Sequence, residues 1–391
     1  MKIYYLTRSY LPYQKTGGSL IRNGSVKFLQ ELGWNITVVM PNYNSKEIKI
    51  ENNVILIPQN YNIKFHLYME RLGLKEDYLD KWVKVAFEYL KDKIQKDDIV
   101  LATSGGELGM IKLGSLLKNA INCKFVVNFH DPLDYSLVHG IKQDGKFHIG
   151  RENQEQKYLS DSDLIITSSV SNQNSLQNKY PFLKDKIRNN YFGYIQKLDI
   201  KQKREQNTKV TIAYVGNMGG LQKPELLYKV YESLKNRDKV EIYFIGDISS
   251  NKTLQNIKKL DEKNINFIDS LPHDEFLKFM SDNIDVGFVS LTSDYLGACV
   301  PSKIYEYINL ELPILGALPD GDGKDIINQN KYGIACAHDD LDCLVQATEK
   351  FIDKIYLDTI KLNIQTDKDE WFMKNRILEV DEMLRDLIDA N

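Results

Sequence analysis

The sequence predicts an α/β protein of two doubly wound, Rossmann-like domains, each a parallel sheet with helices on both faces, and three observations carry that expectation. Short apolar runs rich in Val, Ile and Tyr alternate with stretches of helical period, which is the rhythm of βαβ units. Glycines follow several of these runs, at Gly17-Gly18, Gly105-Gly106, Gly216 and Gly246, where a parallel strand turns into the next helix. The alternation breaks at the hydrophilic stretch 196–208 and then restarts, as at a linker between two similar halves. The expected boundaries are 1–195 for the first domain, 196–208 for the linker, 209–365 for the second domain and 366–391 for a C-terminal helix.

Taken in order, Lys2–Thr7 is an apolar strand that runs into the loop Arg8–Gly18. A helix begins near Ser19, packs through Leu20, Val26, Leu29 and Leu32, and ends at Gly33. Strands follow at Asn35–Met40, Val54–Pro58, Asp98–Ser104, Lys124–Phe129 and Leu164–Ser169, and the fifth strand of the half closes on His130-Asp131-Pro132. The segment Tyr61–Lys96 mixes Phe65, Leu67, Tyr68, Trp82 and Phe87 with many charges. A helix packed on its own sheet is the ordinary explanation, and an amphipathic helix meeting an acceptor or a membrane is the other. In the second half, strands are expected at Val210–Val215, Val240–Ile245, Ile265–Ile268, Val286–Leu291 and Ile314–Leu318. Asp367–Asp389 is an amphipathic helix that either caps its own domain or crosses back onto the first.

Composition narrows the class. With 391 residues, 42% of them hydrophobic, and a net charge of −3, the chain reads as globular and soluble. It lacks the basic stripe expected of a nucleic-acid partner. Its start, M-K-I-Y-Y-L-T, reads as a strand rather than a leader, and no window is apolar enough to span a membrane. The expected location is therefore cytoplasmic, with peripheral contact at the inner membrane face left open. Cys123, Cys299, Cys336 and Cys343 lack metal-ligand spacing, so neither a zinc site nor a disulfide framework is expected.

The chemistry concentrates in Val300–Leu315, V-P-S-K-I-Y-E-Y-I-N-L-E-L-P-I-L. Pro301 and Ser302 suit a helix start, with Ser302 able to accept from an orphan amide, and Pro313 ends the helix. Ile304 and Ile308 mark its packed side, while Lys303 and Glu306 share a neighbouring edge. Such an edge is ordinarily a solvated ion pair. At a strand's carboxyl end, however, Lys303 beside the positive end of a helix suits a phosphate, and Glu306 a ribose diol.

With these pieces in place the chain resembles the retaining glycosyltransferases of family 4, whose GT-B fold faces two such domains across a central cleft. Gly216-Asn217 with Lys223 resembles the family's diphosphate-binding G-R-x-x-x-x-x-K loop. Pro301-Ser-Lys-Ile-Tyr-Glu306, with a Pro seven residues on, resembles its ribose-binding segment. His130-Asp131 resembles the strand-end His that meets the donor sugar. Two departures stand out: Asn217 replaces the family's Arg, and Ala298 replaces its first Glu, eight residues before Glu306.

The resemblance implies transfer of a sugar, hexosyl or N-acetylhexosaminyl, from a nucleotide diphosphate with retained configuration. A UDP-sugar is the commonest donor in the family. The implied acceptor is a glycan or lipid-linked intermediate of bacterial surface polysaccharide synthesis, with no metal or other cofactor. His130 and Asp131 are the expected catalytic residues, with Asp134 a further carboxylate nearby. Gly18, Gly216, Asn217, Lys223, Ser302 and Lys303 are expected at the diphosphate and Glu306 at the ribose. Gly246 and Leu271 are expected at the base, in loops that also carry Asp247 and Asp269. The alternatives are a sugar-nucleotide 2-epimerase of the same fold and a nucleotide-sugar-binding homologue without turnover. A nicotinamide enzyme is disfavoured, because Gly216-Asn-Met-Gly-Gly-Leu lacks G-x-G-x-x-G spacing.

Overall fold

The computed structural model describes residues 1–15, 18–43, 45–133, 146–198 and 208–389. Gly17, Asp134 and linker residues 199–207 lie outside these. The chain forms two compact units, Met1–Ile195 with Met373–Asn391, and Gln196–Phe372.

The first unit carries strands β1 (Ile3–Leu6), β2 (Ile36–Asn42), β3 (Lys49–Glu51), β4 (Val54–Pro58), β5 (Ile99–Gly105), β6 (Lys124–Asp131), β7 (Leu164–Thr167) and β8 (Ile187–Asn189). Their order is β3-β4-β2-β1-β5-β6-β7-β8. Every pairing is parallel except the β3–β4 hairpin. β1 is buried through its length and β5 as far as Ser104, because helices cover both faces of the sheet. On one face the helices Asp80–Leu90 and Gly109–Ile121 bury Trp82, Val83, Met110 and Leu117.

The second unit carries β9 (Val210–Val215), β10 (Val240–Ile245), β11 (Ile265–Ile268), β12 (Val286–Ser290), β13 (Ile314–Ala317) and β14 (Gly333–Cys336). The order β11-β10-β9-β12-β13-β14 is parallel throughout. In both units the strand order reverses beside the first strand, between β1 and β5 and between β9 and β12. Those switch points are where doubly wound sheets receive ligands. This is the expected fold class.

Three expectations change. First, Asp367–Asp389 is not one helix, because the 3-10 turn Lys368–Trp371 separates the helices Lys354–Asp367 and Met373–Asp389. Trp371 is fixed in the second unit, where its Nε1 donates to Tyr332 Oη at 3.0 Å, whereas Met373 N donates to Tyr194 O of the first unit at 2.9 Å. The helix Met373–Asp389 then packs on Ser19–Glu31, and Trp34 Nε1 donates to Asp381 Oδ1 at 2.6 Å. Gly24 permits this approach, since a Cβ there would lie 2.6 Å from Met373 Sδ.

Second, Cys336 and Cys343 form a disulfide. The turn from β14 into the helix Leu341–Phe351 brings their Cα atoms to 5.9 Å, a proximity that no cysteine motif announces.

Third, Tyr61–Lys96 divides in two. Asp80–Leu90 is packed, while Ile63–Arg71 and the turn after it leave Phe65, Tyr68, Leu72 and Leu74 exposed. Among the described residues no helix is long and apolar enough to cross a membrane.

Candidate functional site

In the second unit the loop after β9 continues the ladder, with Gly216 N donating to Ile245 O and Gly246 N to Ile268 O, at 3.0 and 2.9 Å. Gly216 has φ +111°, and a Cβ there would sit 3.2 Å from Lys303 Cε. Gly246 has φ +149° and its missing Cβ would meet Gly216 O at 2.4 Å. Both positions thus require glycine for conformation as well as for space.

Asn217 closes the turn rather than reaching outward, because its Oδ1 accepts from Gly219 N at 3.1 Å and its carbonyl accepts from Tyr214 Oη at 2.6 Å. The far end of the loop is pinned to the end of β12. Thr292 N and Oγ1 both donate to Leu221 O at 2.9 Å, and Ser290 Oγ donates to Gln222 O. Lys223, at φ +36°, follows this anchor, exposed and without an ion pair to any described residue.

The helix Ser302–Asn309 starts with Pro301 at the cap position, and no side chain caps it. The expected acceptor role of Ser302 is therefore absent, because Ser302 is already the first helical residue. Ile304, Tyr305, Tyr307 and Ile308 are buried. Gly287 of β12 makes room for Tyr307, whose Cδ2 would lie 2.5 Å from a Cβ. On the remaining edge Lys303 Nζ and Glu306 Oε2 pair at 2.9 Å, with side-chain exposures of 28% and 19%. Lys303 Nζ also lies 5.2 Å from the Phe276 ring centroid, a cation–π distance.

Gly216, Gly246, Lys303 and Glu306 are thus brought to one sheet edge. Lys223 stands at the exposed end of the same glycine loop. Leu271 lies three residues beyond β11, whose last residue, Ile268, accepts from Gly246 N. Ala298 ends the 3-10 turn Asp294–Ala298 that leads to the helix.

The corresponding edge of the first unit holds His130 and Asp131 at the end of β6, Gly105 at the end of β5, and Gly18 at the cap of Ser19–Glu31. His130 is buried, its ring is tilted against that of Phe192 with centroids 4.7 Å apart, and among the described residues neither ring nitrogen has a hydrogen-bond partner. Burial, reinforced by the positive charges of Arg22 and Arg8, pushes its pKa well below the usual histidine range. The imidazole is therefore neutral, with an acceptor nitrogen and a donor nitrogen both unused.

Sequence reasoning missed the residues that surround it. Arg22 is only 1% exposed and donates to Ser9 Oγ at 2.8 Å. Arg8 Nη1 lies 3.5 Å from Glu107 Oε2, whose carboxylate also accepts from Gly105 N at 2.9 Å. Arg22 sits on the buried stripe of its helix with Ser19, Val26 and Leu29. A cation on a packed stripe was the available signal. Among the described residues no group of three or more His, Cys, Asp or Glu is arranged to hold a metal ion.

Residues 196–360 match the profile of the family described as "Glycosyl transferases group 1", so the second unit carries a glycosyltransferase group 1 domain. No curated protein matches the chain in sequence. Among solved structures, the chain is similar in fold to the lipopolysaccharide outer core galactosyltransferase WaaB in its apo form, at 12% identity, 99% coverage of each chain and TM-score 0.68. It is similar, at 12% identity, 99% coverage of each chain and TM-score 0.71, to a structure described as trehalose-6-phosphate from E. coli bound with UDP-2-fluoro glucose. Anabaena Alr3699/HepE in complex with UDP-glucose is a third, at 12% identity, covering 99% of this chain and 100% of that one, with TM-score 0.67.

Proposed function

From the premise of a group 1 glycosyltransferase domain on a GT-B fold, we propose that this protein moves a sugar from a nucleotide diphosphate, UDP first, to a hydroxyl acceptor with retained configuration, in the manner of family 4. The observation that carries the reading is the convergence of Gly216, Gly246, Lys303 and Glu306 on the switch point of the second sheet. UDP is favoured because two structures of similar fold hold UDP-sugars.

In this reading Lys223 and Lys303, with the amides at Ser302, hold the diphosphate and stabilise the charge that builds on it as the glycosidic bond breaks. The two glycines let the backbone approach the phosphates, and Asn217 contributes by fixing the turn. Glu306 accepts from the ribose hydroxyls, while the loops of Gly246 and Leu271 face the base. In the first unit the neutral imidazole of His130 is assigned to a sugar hydroxyl, and Asp131 to a proton that leaves during transfer. The transferred sugar is a hexose or N-acetylhexosamine. The acceptor is a glycan or lipid-linked intermediate of a bacterial surface polysaccharide, handled in the cytoplasm or at the membrane's inner face. No metal or other cofactor takes part in this scheme.

A thermal-shift panel of UDP, GDP, dTDP, ADP and NAD tests the donor, since a nucleotide at about 100 times its Kd adds roughly 2.7 kcal/mol of stability. Stabilisation by UDP above the others is expected. Transfer from UDP-hexoses is then followed by NMR of the product's anomeric centre. Stabilisation by NAD alone, or by no diphosphate, overturns the reading.

A further inference from the structure

We propose that the Cys336–Cys343 disulfide is a redox-responsive site, whose reduction by a dithiol loosens the segment 294–306 of the second unit and weakens nucleotide binding there. The structural coupling stands on the second unit alone. Its effect on binding rests on the reading of Lys303 and Glu306 as donor-binding residues.

The bond joins neighbours that are already held. Cys336 ends β14, which pairs with β13 along its length, and Cys343 lies in the first turn of the helix Leu341–Phe351. Asp340 caps that helix by accepting from Cys343 N at 2.9 Å, and Leu344, Ala347 and Phe351 are buried on its packed face. The bond spans a separation of only seven residues, whereas a cross-link restricts the unfolded chain most when it closes a long loop. It can therefore open without unfolding the domain. At the cytoplasmic location proposed above the bond meets a reducing thiol pool, where disulfides are transient or redox-sensing.

Cys336 is buried and Cys343 half-buried, so an entering thiolate reaches the Cys343 sulfur. A bond forms from that thiolate to Cys343 Sγ as the bond to Cys336 breaks, and Cys336 leaves as a thiolate that takes a proton. The second thiolate of the reductant then displaces Cys343, which is protonated in turn. Two electrons and two protons pass from the dithiol to the two cysteines, and the dithiol becomes a disulfide.

A contiguous path leads from this bond to the candidate site. Ala335, beside Cys336, is clipped by Asn328, whose Oδ1 accepts from Ala335 N at 2.9 Å and whose Nδ2 donates to Ala335 O at 3.0 Å. Asn328 belongs to the helix Asp322–Gln329, which has Gly321 at its cap position. Gly321 and Gly297 approach so closely that a Cβ on Gly297 would run into Asp320 O, and one on Gly321 into Gly297 O. A second link is direct, because His338, inside the closed loop, holds Nε2 3.0 Å from Asp294 Oδ1. Asp294 and Gly297 form the 3-10 turn Asp294–Ala298, which leads through Pro301 into the helix of Lys303 and Glu306. Opening the bond releases the end of β14 and the loop of His338, the two points from which these links start.

The test uses the full chain as wild type and Cys343→Ser, in dithiothreitol buffers poised from fully oxidised to fully reduced. Alkylation and peptide mass analysis give the bonded fraction, with Cys123 and Cys299, which form no disulfide, as references. Circular dichroism verifies the fold, calorimetry measures Kd for UDP, and hydrogen exchange follows the amides of 294–306. In wild type, reduction should lower Tm by about 5–10 °C. It should raise the UDP Kd about 2- to 30-fold and speed exchange in 294–306 by a similar factor, with the midpoint of bond loss. Cys343→Ser should behave as the reduced protein in every buffer.

Exchange in 294–306 that reduction leaves unchanged overturns the coupling, as does exchange in Cys343→Ser that still responds to dithiothreitol. A wild type that never forms the bond, or that unfolds when it is reduced, overturns the redox site itself. A UDP Kd within twofold between the two states overturns the effect on binding. A wild type that binds no diphosphate, yet shows redox-dependent exchange, overturns the donor reading and supports the redox site. If Cys343→Ser does not fold, the wild-type redox series decides alone.

Discussion

Replacing Glu306 with alanine separates a ligand-binding role from a structural one. Its partner is Lys303, in an i,i+3 pair at 2.9 Å whose side chains retain 28% and 19% exposure. Such a half-solvated pair is worth about 0.3–0.5 kcal/mol. At 2–4 °C per kcal/mol for a domain of this size, the unliganded Tm falls by roughly 1–2 °C. Binding responds differently, because a carboxylate accepting from ribose hydroxyls makes charge-assisted bonds of about 1.5–3 kcal/mol, equivalent to about 10- to 150-fold in Kd. Calorimetric titration of UDP and of UDP lacking both ribose hydroxyls into both proteins forms a cycle. Wild type should prefer UDP, and Glu306→Ala should lose that preference. If the folded variant binds UDP within twofold of wild type, or if wild type does not distinguish the two nucleotides, the ribose assignment is wrong.

Other perturbations reach the scaffold and the first unit. Gly216→Ala forces a side chain into φ +111° and within 3.2 Å of Lys303 Cε, so about 1–3 kcal/mol of stability should be lost along with nucleotide affinity, by urea denaturation and titration. Arg151 lies between Glu70 and Asp77, with all three side chains buried. Arg151→Met leaves two buried carboxylates without their cation and should cost about 3–5 kcal/mol, and a loss under about 1 kcal/mol in denaturation would show the network to be dispensable. His130 is held neutral when folded but takes a proton near pH 6.5 when unfolded. Its contribution to stability is thus complete above about 6.5 and is lost as pH falls. Wild type should therefore lose stability faster than His130→Gln between about pH 7.5 and 5.5, by at most about 1.4 kcal/mol per pH unit. Equal slopes would remove His130 as the source.

The fold was legible where burial on both faces made a strand a continuous apolar run. Val54–Pro58 and Val210–Val215 are of this kind and end where the sequence places them, as do the less buried Val240–Ile245 and Ile265–Ile268. The three strands that escaped, β3, β8 and β14, have only three or four residues each and lie at or next to sheet edges. Such short segments carry too little pattern, and tertiary pairing defines them. The break at Lys368–Trp371 was hidden for another reason. Apolar periodicity reports that a face is buried but not which unit buries it, and Trp371 and Met373 are held by different ones.

The candidate site divides along a similar line. Gly216, Gly246, Lys303 and Glu306 stand out because each follows a strand that the pattern locates, and a parallel sheet brings the ends of adjacent strands together whatever their separation in sequence. Arg22 follows no strand. It lies four residues into a helix, on a stripe that also carries Val26 and Leu29, so periodicity assigns it a core position and its charge assigns it the surface. When those two rules disagree at one residue, either the charge is neutralised inside the protein or something outside must do so. Arg151 takes the first course, with Glu70 and Asp77. Among the described residues Arg22 has Ser9 Oγ as its hydrogen-bond partner and no ion pair, and it lies close to Gly18 and Gly105 at the switch point. The same violation of pattern is thus resolved by two carboxylates at one arginine and by a neutral hydroxyl at the other, and only the identity of the neighbours separates them.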